Sequence, residues 1–199
     1  MSRLEQQLRS MLAGRHAPET GVREPAEMTA PAPGAGQHRV LSFDEAEAGR
    51  LYRRAFGDAV APGRPEPASA VVWLDGAAEL LIRADAVRLA CLDSLLLVGV
   101  PVFCEELGDA EVVVPFALAQ PTAAGLLRAA TETLPRGPAQ IVERWGEEIT
   151  GAAWEALVAL ADAVAVAVDA GDRRPATVVA APKRLRFYVG AAESAWIVG

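Results

Sequence analysis

The stretch LLLVGVPVFCEELGDAEVVVPFAL, residues 95–118, decides the fold. Two runs rich in Val, Leu and Phe flank a short polar segment, and the Gly108-Asp109 pair between them supplies turn chemistry, so the stretch predicts a hairpin. Pro115 has no N–H to give to a ladder, which places the second strand on an edge or at a bulge. Upstream, 70–74, 80–83 and 86–91 also read as strands, with no helical pattern between them. A run of short strands with close turns predicts an antiparallel meander.

Downstream the period changes. Residues 122–134 read as a helix stopped by Pro135, 138–145 as a second, and 150–170 as a long, largely buried third. Strand character returns at 176–180, 185–189 and 195–198. Before the meander, Ser42 and Glu45 have the spacing of a capping box. Asp44 and Glu45 sit in a first turn, Arg50, Arg53 and Arg54 in later turns, and Gly57 at a stop, so a helix is predicted from 42 to 57. Strands, helices and strands without regular βαβ alternation give an α+β class: a largely antiparallel sheet with helices packed on one face.

The domain so described covers 40–199. Ahead of it, 14–39 is rich in Pro, Ala, Gly and Glu, with Pro18, Pro25, Pro31 and Pro33 and almost no large apolar residue. Such a segment buries too little surface to offset its ordering entropy, and the expectation is a flexible linker. Residues 1–13 differ. Leu4, Leu8, Met11 and Leu12 fall at helical spacing with Arg3, Glu5, Gln6, Gln7 and Arg9 around the other faces, which predicts a short amphipathic helix. At that length a helix is marginal alone in water and needs a surface to dock on.

The 199 residues are 52% hydrophobic and 23% charged, the balance of a folded protein, and the net charge is −7. Through Leu41 five arginines stand against four glutamates, a balance of +1, so the residues beyond carry −8. An acidic domain repels phosphate backbones and disfavours general nucleic-acid binding. Cys91 and Cys104 lie in apolar runs and are expected to be free, buried thiols. The N-terminus lacks the apolar core of a secretion signal, so a cytoplasmic location is expected. The most apolar segment, 156–168, is interrupted by Asp162 and is short for a membrane span, so none is expected.

Chemistry-bearing patterns are sparse. His16 and His38 fall in the linker, away from rigid support, which removes most histidine-based catalysis and most zinc sites. Neither a phosphate-binding loop, a dinucleotide fingerprint nor a Cys-x-x-Cys pair occurs. The best carboxylate grouping is Glu105, Glu106, Asp109 and Glu111 at the hairpin tip. There, edge-guarding charge competes with an acid–base or cation-binding role, and Asp75 and Asp93 pose the same choice more weakly. A basic cluster of Arg173, Arg174, Lys183, Arg184 and Arg186 runs against the acidic background. In a strand, Arg184, Arg186 and Tyr188 share a face suited to an anion, unless that face is simply solvated. Trp196, in a short apolar tail, is a plug for a pocket on the same or a neighbouring molecule.

No metal or cofactor is called for. The reading is a non-catalytic protein-interaction or assembly subunit that engages a protein partner, or a second copy, through Leu4, Leu8, Met11 and Leu12. An anion-binding, nucleotide-binding or nucleic-acid-binding domain using the basic strand face is one alternative; an enzyme working with carboxylates or arginine and no histidine is the other.

Overall fold

The computed structural model describes residues 40–118, 134–168 and 178–189, together with the backbone of Arg39, Thr177, Leu127–Arg128 and Trp196–Ile197. The chain is α+β, as expected, with the antiparallel pairing divided between two sheets and two helices packed against them.

Residues 95–118 form the expected hairpin. Strand β5 (Leu95–Cys104) pairs with β6 (Gly108–Ala117) along its whole length, from Leu95↔Ala117 to Cys104↔Gly108. The turn is 105–107 rather than Gly108-Asp109; Gly108 opens β6 at φ +73°, a conformation glycine adopts without a Cβ penalty. The opposite edge of β5 is shared by two strands end to end. β4 (Arg88–Leu92) covers Leu95 to Gly99, and β3 (Ala78–Ile82) meets Val102 and Phe103. A two-residue turn with Gly76 at φ +60° joins β3 to the outermost strand, β2 (Val71–Asp75).

Pro115 is accommodated by parity. Val113 uses its N–H (2.7 Å) and its C=O (2.9 Å) on Arg136, outside the hairpin. Residues of the same parity therefore point their amides away from β5, so the proline removes no bond of the hairpin ladder.

Helix α1 (Glu45–Val60) starts later and runs further than expected. Arg39–Asp44 is a strand, β1, drawn into pairing by β9 (Arg184–Val189), so Ser42 belongs to the ladder and caps nothing. The capping box is formed instead by Asp44, which accepts from the Glu47 amide at 2.8 Å, and by Glu47, which accepts from the Asp44 amide at 3.4 Å. Gly57 lies inside the helix, where it admits the 67–68 backbone: a Cβ there would stand 2.5 Å from the Ala68 carbonyl oxygen.

The two helices expected at 138–145 and 150–170 are one, α2 (Ala139–Ala167). Glycine inside a helix costs about 1 kcal/mol against alanine, and at Gly146 it permits close approach, since a Cβ would meet Pro135 Cγ at 3.1 Å. By length and composition α2 is apolar enough to cross a bilayer; 56% of its most apolar window is nevertheless buried inside the fold, as in a central helix of a folded core. Of the helix expected at 122–134, Leu127–Arg128 instead form strand β7, which takes its hydrogen bonds from a parallel partner, β10 (Trp196–Ile197). Most of the remainder lies outside the described residues.

The smaller sheet has β9 at its centre, between β1 and β8 (Thr177–Ala181). It is stitched to the larger one by two backbone bonds, Ser94 N–H to Ala180 C=O (3.0 Å) and Lys183 N–H to Cys91 C=O (2.9 Å). Both helices pack inside this arrangement. Phe43, Leu185 and Phe187 from the smaller sheet and Leu80, Ile82, Leu96, Val98, Val100, Val112 and Val114 from the larger are fully buried with Leu51, Phe56, Ile149, Leu157 and Leu160. The buried Tyr52 hydroxyl donates to the Ala153 carbonyl at 2.6 Å and fixes α1 against α2.

Candidate functional site

Strand alternation puts the even-numbered residues of β5 and β6 in the core and the odd-numbered ones on the far side of the larger sheet. In most half-exposed sheets that far side is polar. Here it carries Val72 and Leu74 from β2, Leu81 from β3, Leu95, Leu97, Pro101 and Phe103 from β5, and Leu92 from β4. Val72 is 50% exposed, Leu74 68%, Leu92 48% and Phe103 38%. The bodies of α1 and α2 lie against the opposite, inner face, while Gln140, Arg144 and Trp145 near the start of α2 line a cleft together with Val72, Leu81 and Phe103.

Two ion pairs lie across this outer face. Arg88 reaches over β5 to Glu111 at 2.6 Å, and Arg83 reaches Asp109 at 2.7 Å. Gly99 makes the first crossing possible, since a Cβ there would stand 2.5 Å from Glu111 Oε1. These pairs divide the apolar residues into one group around Leu92, Leu95 and Leu97 and another around Val72, Leu74, Leu81 and Phe103.

The carboxylates singled out in the sequence are thus separated by role. Asp109 and Glu111 are engaged with arginines on the outer face. Glu105 and Glu106 stand exposed on the turn, at the rim of a cleft of about 550 Å³ closed by Glu79, Phe103, Cys104, Gln140, Arg144 and Trp145. Asp75 accepts from Arg144 Nε at 3.1 Å at the start of the same helix, and Asp93 is an exposed turn residue. Among the described residues no three His, Cys, Asp or Glu side chains come together to hold a metal ion. The cleft has charge of both signs on its walls and no nucleophile–base pair that the described residues bring into hydrogen-bond contact.

Arg184, Arg186 and Tyr188 share one face of β9, with Leu185, Phe187 and Val189 buried on the other. The register sets Asp44 opposite Arg184 and Ser42 opposite Arg186, so the cationic face is bordered by a carboxylate. Lys183 occupies the β8–β9 turn at φ +59°. Arg173 and Arg174 lie outside the described residues, as do His16, His38, Leu4, Leu8, Met11 and Leu12 and the side chain of Trp196.

Of the two thiols, Cys104 is half-buried beside the cleft and Cys91 is buried in the core. Burial, and after it the nearby Glu45 carboxylate, pushes the Cys91 thiol up to about 12; Glu45 itself accepts the Cys91 amide at 2.7 Å. The folded chain keeps the Cys91 proton at a pH where the unfolded thiol, ionising near ~8.5, has lost it. Its contribution to stability is therefore complete below about pH 8.5 and is lost as pH rises toward about 12. The melting temperature is expected to fall between pH 9 and 11, and to fall less steeply in Cys91→Ala; equal slopes by calorimetry would show that this thiol does not contribute.

The exposed apolar outer face was not foreseen in the sequence, although its signal was present. Odd-numbered Leu95, Leu97, Pro101 and Phe103 are as apolar as their even-numbered neighbours, the pattern of a strand with something on both sides. Compared with family models, with curated proteins and with solved structures, the chain matches none.

Proposed function

We propose that the chain is a non-catalytic protein-interaction or assembly subunit of the cytoplasm, docking a protein partner on the outer face of its larger sheet. The observation that carries this reading is the group Val72, Leu74, Leu81 and Phe103, exposed or half-exposed on three neighbouring strands. Contiguous exposed apolar surface on a folded domain marks an interaction site, because leaving it in water costs roughly 25 cal/mol per Å². The salt-bridged arginines and carboxylates beside it supply the polar rim of such interfaces. The N-terminal residues Leu4, Leu8, Met11 and Leu12 are the second element of the same device, a docking helix on a tether.

The test is partner capture from native host extract with the full chain as bait, comparing wild type with Val72→Glu combined with Leu74→Glu. Both side chains point to solvent from the edge strand, so the double variant is expected to melt within a few degrees of wild type while losing at least ten-fold of the captured partner. Undiminished capture by a folded double variant would overturn the assignment of the face.

A further inference from the structure

Val72 and Leu74 turn their backbone N–H and C=O groups away from the larger sheet, and we infer that this edge of β2 seats a second copy of the chain. β2 pairs antiparallel with β2 of the copy, about a two-fold axis at Trp73. The inference goes beyond the docked partner: the outer face takes the partner, and the edge takes the copy.

The direction of the edge groups follows from parity. Arg83 N–H donates to Pro101 C=O at 3.0 Å, so Leu81, two residues before it on β3, also bonds toward β5. Leu80 and Ile82 therefore bond toward β2, where the register gives them Trp73 and Val71. The two-residue turn agrees, since it closes on Asp75 and Ala78. Val72 and Leu74 are left facing outward, and among the described residues no strand pairs with β2 from that side.

Sheet edges are ordinarily blunted by lysine, proline or a bulge, because an open ladder recruits another strand. The sequence Val-Val-Trp-Leu-Asp has none of these, and its register with β3 is unbroken. The strand is also held in place before any pairing. Trp73 Nε1 donates to the Val60 carbonyl at 3.4 Å and its ring lies 6.2 Å from that of Trp145, while Asp75 accepts from Arg144 at 3.1 Å. A preorganised edge loses little freedom on association.

The edge is its own complement. With Trp73 opposite Trp73 of the copy, Val72 faces Leu74 of the copy and Leu74 faces Val72. Both are hydrogen-bonding positions on both strands, so the pairing closes four backbone bonds and joins two apolar outer faces into one. The only charge on β2, Asp75, is answered by Arg144. The −8 carried by residues 42–199 opposes association at long range and is screened beyond about 8 Å at physiological ionic strength.

The experiment is sedimentation velocity on the full chain from low to high micromolar concentration. The wild type is expected to move from 20.9 kDa to about twice that mass. Leu74→Pro removes an N–H that the β2–β3 ladder does not use, so it should melt within a few degrees of wild type and raise the dimer dissociation constant at least ten-fold. Two further variants read the register. Val72→Glu with Leu74→Glu sets like charges opposite one another in the two-fold pairing, whereas Val72→Lys with Leu74→Glu sets opposite charges there, at the same loss of apolar surface. The Lys/Glu chain is expected to dimerise at least ten-fold more tightly than the Glu/Glu chain. A wild type that stays monomeric, a Leu74→Pro chain that dimerises as well as wild type, or equal affinities for the two charge variants would overturn the inference. Its failure is distinguishable from failure of the docking surface. A monomeric wild type whose Glu/Glu variant still loses the partner removes the copy and leaves the face; a β2-paired dimer whose Glu/Glu variant keeps the partner removes the face and leaves the copy.

Discussion

Phe187→Ala is expected to lower the unfolding free energy by about 3–5 kcal/mol, the usual range for truncating a fully buried aromatic side chain. Phe187 has no exposed surface and stands edge-on to Phe43, with ring centroids 5.6 Å apart and planes at 80°. That pair lies between β9 and β1, and β9 is the strand through which both neighbours of the smaller sheet are held. Removing the ring leaves a cavity under the sheet as well as losing the edge-to-face contact, itself worth about 0.5–1.5 kcal/mol. Tyr188→Ala, on the outer side of the same strand, is the control and should cost no more than about 1 kcal/mol. In urea titrations the Phe187 variant should shift the midpoint with an unchanged slope. A loss no larger than that of the Tyr188 variant would mean that the smaller sheet is not packed on the helices.

The elements legible in the sequence were those whose signal is local. The hairpin of residues 95–118 was readable because two β-branched runs flank a short polar segment, although the turn falls at 105–107 and not at Gly108-Asp109, and Pro115 announced an edge that Val113 and Arg136 then define. What escaped was long-range. Residues 39–44 become a strand only because β9, some 140 residues later, offers them a ladder, and that pairing moves the helix cap from Ser42 to Asp44. Leu127–Arg128 are likewise taken into a strand by a partner near the C-terminus. Gly57 looks like a helix end in a linear pattern, whereas it serves close approach by a neighbouring segment, and the helix expected to end at 145 runs on through Gly146, where Pro135 comes close. For the candidate site, the carboxylates of the hairpin tip were legible as residues but not as pairs, since Arg83 and Arg88 reach Asp109 and Glu111 from across β5.

The closest of these approaches yields the remaining large effect. At Gly57 a Cβ would stand 2.5 Å from the carbonyl oxygen of Ala68 and 3.1 Å from its amide nitrogen, and the Ala68 N–H donates back to the Gly57 carbonyl at 3.2 Å. Because the obstacle is backbone, it cannot rotate away as a side chain would. Helix propensity alone favours alanine over glycine by about 1 kcal/mol, so the sign of the substitution is decided by the clash. Gly57→Ala is expected to destabilise by about 1–2 kcal/mol in spite of that gain, and Gly57→Val by about 3 kcal/mol. Gly151→Ala, in α2 with nothing within 4 Å of the added Cβ, should instead stabilise by about 0.5–1 kcal/mol. Opposite signs for the two alanine variants, read from calorimetry under one condition, would establish that the 67–68 segment rests on α1; matching gains would refute that contact. The consequence extends to the docking surface. Ser69 and Ala70 lead from this segment into β2, and the Ser69 carbonyl accepts from Asp85 at 3.0 Å just before β4. A residue that pushes 67–68 outward therefore shifts the strand that carries Val72 and Leu74, and the Gly57 variants should lose partner capture in step with their stability, unlike Val72→Glu with Leu74→Glu, which separates the two.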